Sequence, residues 1–140
     1  MRAPDGPPPD SPRAVATRAR REAILQAALD VFLERGLFEA TVGDIRARSG
    51  ASTGSLYHHF KGKEGIAFAL YLDGNVAIHE RLLGAIADAP PAREGVEAAV
   101  RAYLDWFAEN PRWGLFLFRA ADVGFAVEPR DAIRAEERRL

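Results

Sequence analysis

Residues 41–60 read TVGDIRARSGASTGSLYHHF, and capping and turn residues divide this stretch. Thr41 followed by Asp44 is a helix-capping pattern, in which a hydroxyl and a carboxylate satisfy the first free amides of a helix. That helix would run to about Ser49. Gly50 then makes a tight turn, because glycine adopts the left-handed backbone conformation without a steric penalty. The pattern predicts a short helix that ends in a glycine turn.

A second short helix is expected directly after this turn. Ser52 can cap it, and it would run to about Phe60. Leu56 and Phe60 are four residues apart, so both face inward, alongside Ile45 of the first short helix. Residues 41–60 therefore predict a helix-turn-helix unit with an apolar inner side.

A longer helix is expected before this unit, from Thr17 onward. Gly36 is a good stop for it, with Leu37 folding back as an apolar contact. Residues 1–16 are expected to form a disordered, proline-rich arm, because they offer almost nothing to bury. The apolar face of the helix comprises Ile24, Ala28, Val31 and Phe32.

Three more helices are expected after the unit, from Lys63 to about Asp88, from about Ala92 to Glu109, and from near Arg112. No convincing strand is present, so the predicted fold class is all-α. The apolar stripe of the first of these helices comprises Ile66, Leu70, Val76, Leu83 and Ile86, and the second carries Val96, Val100, Tyr103, Leu104 and Phe107.

Composition limits the classes of protein that this chain can represent. Its 140 residues allow one compact domain, or a small domain with part of a second. The absence of cysteine excludes disulfides, thiolate catalysis and cysteine-ligated metal sites. No apolar run approaches the roughly 18 residues of a spanning helix, and the N-terminus lacks the apolar segment of a signal peptide. We therefore expect a cytoplasmic protein without membrane association.

Charge is distributed unevenly along the chain. Residues 1–63 hold ten Lys/Arg and seven Asp/Glu, whereas residues 64–140 hold nine and thirteen. The positive N-terminal part is thus the candidate for binding a polyanion.

Two short helices joined by a glycine turn are the arrangement that presents a recognition helix to the DNA major groove. Small or polar residues, which can read base edges and thymine methyls, would face that groove: Thr53, Gly54, Ser55 and His58. Hydroxyl and basic groups would lie near phosphates: Tyr57, His59, Lys61 and Lys63. Arg18, Arg20 and Arg21 of the first helix are further candidates for contacting DNA, or else form a solvated face.

The run that begins at Arg20, RREAILQAALDVFLERGLFEATVGDIRARSGASTGSLYHHFKGKEGI, resembles the DNA-binding domain of the TetR family of bacterial transcriptional regulators. The resemblance covers about residues 17–75. It rests on coinciding features, namely the helix ending in Phe32 and Gly36, Thr41, Gly50, LYHHF, and Lys63-Glu64. The later ENPRWGLFLFRA resembles, more loosely, a sixth-helix segment of such regulators.

The resemblance implies individual roles at the DNA. Thr41 would bond a phosphate as well as cap its helix, and Tyr57 and Lys63 would bind phosphates. Thr53 and Ser55 would meet base edges. The complete set of expected DNA-binding residues is Thr41, Arg46, Thr53, Gly54, Ser55, Tyr57, His58 and Lys63.

One position departs from the family pattern. Members frequently carry a long polar side chain where this chain has Gly43, which puts base contacts from the first short helix in doubt. Arg46 or Arg48 would compensate.

The resemblance also implies a division into a DNA-binding domain over residues 17–77 and a partial helical regulatory domain over residues 78–140. The implied function is a repressor that binds palindromic operators in double-stranded DNA and is released by an apolar small-molecule inducer. No cofactor, metal or enzymatic activity is expected. Homodimers are expected of the family, yet the usual two C-terminal dimerisation helices are absent here, so we expect a fragment or an unusual dimer surface.

Other interpretations stay open. Residues 50–54 match G-x-S-x-G, the nucleophile elbow of hydrolases, but that elbow must follow a buried strand and here follows the polar DIRAR. His58 and His59 diverge by about 100° on a helix, which argues against a shared metal ion. The remaining alternatives are a DNA-binding head without regulation and a helical ligand-binding or interaction protein that does not bind DNA.

Overall fold

The computed structural model describes residues 11–88 and 93–122, and within these ranges the chain is entirely helical. This confirms the predicted all-α class. The expectations for residues 1–10 and for the end of the chain, residues 123–140, lie outside the described residues. The helices are α1 (Pro12–Arg35), α2 (Val42–Ser49), α3 (Thr53–Phe60), α4 (Lys63–Ala87), α5 (Arg93–Glu109) and α6 (Pro111–Asp122).

Helix α1 begins at Pro12, so the expectation of a disordered arm is wrong for residues 12–16. The hydroxyl of Ser11 accepts a hydrogen bond from the amide of Ala14 at 3.2 Å and caps the helix. Proline is well suited to the first helical position, because the N–H that it lacks would have no partner there. Thr17, expected as the cap, instead donates its hydroxyl hydrogen to the carbonyl of Arg13 inside the helix, at 2.9 Å.

The helix-turn-helix unit forms as predicted. Thr41 and Asp44 make a reciprocal capping box, with the Asp44 amide 3.1 Å from the Thr41 hydroxyl. Gly50 ends α2 in the left-handed conformation at φ 69°, and Ser52 caps α3 by accepting from the amide of Ser55 at 3.1 Å. Local capping chemistry therefore fixes the angle at which α3 leaves α2.

One continuous apolar core joins all six helices. Phe32 of α1 stacks on Phe116 of α6 with ring centroids 6.0 Å apart, and both side chains are fully buried. The predicted inward residues Ile45, Leu56 and Phe60 are buried in the same core. The boundary expected between residues 77 and 78 falls inside the unbroken helix α4.

The apolar stripes predicted for α4 and α5 are only partly buried. Ile66 and Leu70 are buried as expected, whereas the other stripe residues of α4 and most of those of α5 are exposed: Val76, Leu83, Ile86, Val96, Val100, Tyr103 and Leu104. The reason is that α4 packs against α6 through Gly74. A methyl group there would lie 2.9 Å from Cε3 of Trp113, so only glycine allows this close approach.

Two residues at helix ends allow a matched test of backbone strain. Lys61 adopts the left-handed conformation at φ 60°, and Gly50 does so at φ 69°. Because a side chain is strained there, Lys61→Gly should raise the free energy of unfolding by about 1 kcal/mol, and Gly50→Ala should lower it by about 1 kcal/mol. Urea denaturation of the two variants checks both signs. Changes of the same sign would contradict the assigned backbone conformations.

Candidate DNA-binding site

The outer face of α3 is a short polar surface held on a fixed inner face. Leu56 and Phe60 anchor the helix, with 1% and 7% of their surface exposed. On the outside, Thr53, Gly54, Tyr57 and His58 are exposed, and Ser55 is half-buried. The structure therefore brings together on one element the five residues predicted to read DNA from α3. Their contacts with DNA stay predictions.

Gly54 gives this face an unusual profile. It lies in the first turn of α3, and a Cβ atom added to it would meet nothing within 4 Å. The fold therefore does not require glycine at this position for packing. A glycine on an exposed face allows another backbone to approach closely.

The two predicted phosphate-binding residues outside α3 both have partners within the chain. The hydroxyl of Thr41 donates to the carboxylate of Asp44 at 2.8 Å, and this bond is the main cause that lowers the pKa of Asp44. The ammonium group of Lys63 donates to the carbonyl of Phe38 at 2.9 Å. A bond to a phosphate would replace or share these contacts.

The two arginines expected to compensate for Gly43 differ in the structure. The guanidinium of Arg48 forms two hydrogen bonds with the carboxylate of Glu34, at 2.6 and 2.8 Å. These bonds lower the pKa of Glu34 and raise that of Arg48. Arg46 is exposed and has no ion pair among the described residues, so it is the better candidate for DNA.

The surroundings of α3 carry positive charge without acidic residues. Residues 45–63 contain four Lys/Arg and two of the three histidines but no Asp or Glu. Burial is the first cause that lowers the pKa of His59, and the charges of His58, Arg21 and Arg20 lower it further. The helix therefore lies in a positive field, as an anion-binding surface requires.

The arginines of α1 have separate roles. Arg21, considered above as a DNA contact, forms two hydrogen bonds to the carboxylate of Asp73 on α4, at 2.9 and 3.3 Å. Its guanidinium carbon also lies 5.7 Å from the ring centroid of Phe60. Arg21 therefore ties α1 to α3 and α4, whereas Arg18 and Arg20 are exposed.

Sequence reasoning missed Arg13, because it placed this residue in the arm. In the structure Arg13 lies in the first turn of α1 and lines a groove beside α3. Ser11 before Pro12 was the available signal, since a serine followed by proline is typical of a helix start.

The nucleophile elbow is not formed at residues 50–54. The segment follows helix α2 rather than a strand, and the hydroxyl of Ser52 caps α3. Across residues 11–88 and 93–122, no group of three or more His, Asp or Glu side chains is placed to hold a metal ion. None of the described helices is long and apolar enough to cross a membrane.

Comparison with known proteins identifies the domain that carries this surface. Residues 24–70 match the family model described as bacterial regulatory proteins, tetR family. The HTH-type transcriptional repressor KstR2 of Mycolicibacterium smegmatis is 50% identical over 56 residues, which cover 40% of this chain and 26% of that protein. The HTH-type transcriptional repressor BepR of Brucella suis is 36% identical over 93 residues, covering 66% of this chain and 44% of that protein.

The fold has relatives among solved structures. A putative TetR-family transcriptional regulator from Syntrophomonas wolfei superposes with a TM-score of 0.70 at 27% identity, covering 85% of this chain and 60% of that one. The chain thus spans less than half the length of the two repressors above. The helix-turn-helix unit, the matched residues and the shared fold agree, and through this domain the chain belongs to the tetR family of bacterial regulatory proteins.

Proposed function

We propose that this chain is a transcriptional regulator that binds double-stranded DNA in a sequence-specific manner through α3. One observation carries the proposal: an exposed, small and polar face on a rigidly anchored helix, within a stretch that has basic residues and no carboxylates. Such a helix fits the major groove, and small polar side chains read base edges. The tetR match and the repressor names of the relatives support the same function.

The proposed contacts divide into two kinds. Base edges would be read by Thr53, Ser55 and His58, with Gly54 allowing the backbone of α3 to approach the groove. Phosphates would be bound by Tyr57, together with the remaining predicted residues Thr41, Arg46 and Lys63. Phosphate contacts supply affinity to every sequence, whereas base contacts discriminate between sequences.

We further propose that the protein is a repressor released by an apolar small molecule. Residues 17–77 would form the DNA-reading domain and residues 78–140 part of the regulatory domain. Helix α4 crosses this boundary without a break, and α6 packs against both α1 and α4. A ligand that favours one arrangement of these helices would change the placement of α3. Palindromic operators would follow from pairing of two chains.

Selection of this chain against random duplex DNA at near-physiological salt tests the proposal. Enrichment of a palindrome with half-sites one helical turn apart, or a multiple of that spacing, would support a paired regulator. A single enriched half-site would support sequence-specific binding and contradict pairing. No enrichment would contradict sequence-specific recognition.

Two variants of α3 should separate affinity from sequence preference. Tyr57→Phe should weaken binding to all sequences about tenfold, because it removes one hydrogen bond to a charged phosphate. Ser55→Ala should instead change which sequence is enriched, because its hydroxyl has no partner among the described residues and is available to a base. Titration of each variant with selected and scrambled duplexes distinguishes the two effects.

These variants should leave the fold intact. The amide of Ser55 keeps its bond to Ser52 when the hydroxyl is removed, and Tyr57 is 49% exposed. If Ser55→Ala retained the wild-type sequence preference, the assignment of Ser55 to a base edge would be wrong.

A further inference from the structure

A groove runs between the N-terminal turns of α1 and the outer part of α3. From α1 it is lined by Arg13, Thr17 and Arg20, which recur at the spacing of one helical face. From α3 and its cap it is lined by small and polar residues, including Gly54, Ser55 and His58. The groove is therefore continuous with the proposed DNA-reading face.

We propose that this groove binds the phosphodiester backbone of the DNA strand that flanks the major groove read by α3, with Arg13 and Arg20 as the phosphate ligands. This inference rests on the proposed function and extends the DNA-binding surface onto α1. The groove suits an anion because no carboxylate lines it. Neither arginine has an ion pair with any residue in the described ranges.

The helix dipole gives an independent reason to assign function to Arg13. The N-terminal end of a helix carries partial positive charge, so a basic side chain in the first turn is unfavourable for the helix itself. The first turn of α1 contains Arg13 and no acidic residue. This arrangement concentrates positive charge at the mouth of the groove, where a phosphate would gain from both the side chain and the helix end.

Arg20 is held in place by its neighbour. The two hydrogen bonds of Arg21 to Asp73 fix this turn of α1 against α4. Arg20 and Arg21 also help to lower the pKa of His59, another lining residue, so positive charge acts within the groove. Arg20 therefore has a defined position beside α3 and no internal partner that competes with a phosphate.

Arg18 provides a matched control. It lies two residues from Arg20, so it points to a different side of α1 and does not line the groove. It is exposed like Arg20, and an Arg→Gln change removes one charge at either position with little effect on helix propensity.

The experiment measures binding of random-sequence duplex DNA as a function of salt for the full chain and for Arg13→Gln, Arg20→Gln and Arg18→Gln. Removing one phosphate contact should lower the slope of log K against log salt by about 0.9. We expect this change for Arg13→Gln and Arg20→Gln, and a wild-type slope for Arg18→Gln. Thermal unfolding should show no loss of stability in Arg13→Gln, which a merely structural role would produce.

The outcomes separate this inference from the proposed function. If the wild type binds with a steep salt dependence and all three variants keep its slope, the groove assignment is overturned while DNA binding stands. Equal slope reductions in all three variants would also overturn it, since the effect would then follow net charge rather than position. A wild type without salt-dependent binding would overturn the proposed function and this inference with it.

Discussion

Replacing Gly54 with glutamate is expected to weaken duplex DNA binding by about 100-fold, or about 2.7 kcal/mol, while stabilising the fold. The affinity falls because a carboxylate on the outer face of α3 would meet the anionic DNA, and opposed like charges cost several kcal/mol in an interface. The fold gains because nothing lies within 4 Å of the added Cβ atom, and an acidic residue in the first turn favours the helix dipole. Urea denaturation should show a gain of about 1 kcal/mol, mainly from helix propensity.

Gly54→Gln is the matched control for this effect. Glutamine has nearly the size of glutamate without its charge, so any loss of affinity in this variant reports the steric part alone. The difference between the two variants reports the repulsion from phosphates. A Gly54→Glu protein that binds duplex DNA as tightly as wild type would show that the first turn of α3 does not face DNA.

The helix-turn-helix unit could be predicted from sequence because its determinants are local. Thr41 and Asp44 cap α2 from three residues apart, and Gly50 supplies the positive φ that the turn needs. Ser52 in turn caps α3. Each signal depends on neighbouring residues only, so it is readable without knowledge of the fold.

The partners of the candidate site residues could not be predicted in the same way. Arg48 bonds to Glu34, fourteen positions away, and Lys63 bonds to the carbonyl of Phe38, twenty-five positions away. Such contacts depend on how α1, α2 and α4 are placed in space, which residue spacing does not encode. This is why sequence reasoning assigned equal roles to Arg46 and Arg48, although only Arg46 is free of an ion pair in the described part of the chain.

Burial of the later helices was mispredicted for a related reason. Hydrophobicity alone favours the stripe that contains Leu83 and Val96, yet both residues are mostly exposed. The packed face of α4 instead uses Ala67, Gly74 and Ile78, whose mixture of sizes matches Trp113 and Leu117 on α6. Complementary shape between helices decides which face is buried, and it cannot be read from one helix alone.

Phe116→Ala is expected to lower the free energy of unfolding by about 3–5 kcal/mol. Phe116 is 1% exposed, and its ring stacks on that of Phe32, so truncation would leave a cavity between α6 and α1. Because Phe32 belongs to the core shared with the helix-turn-helix unit, the loss should appear in the whole described fold. Urea denaturation followed by circular dichroism and by the fluorescence of Trp106 and Trp113 should give coincident, shifted transitions.

Phe118 on the same helix supplies the control, because it is 76% exposed and differs from Phe116 mainly in burial. Phe118→Ala should therefore change the free energy of unfolding by less than about 0.5 kcal/mol. Equal effects of the two truncations would contradict the packing of α6 on α1. If Phe116→Ala instead separated the two probes, α6 and α1 would unfold independently. Helix α6 could not then transmit a ligand's effect to α3 through this contact, because coupling requires that both sites bias the same packed element.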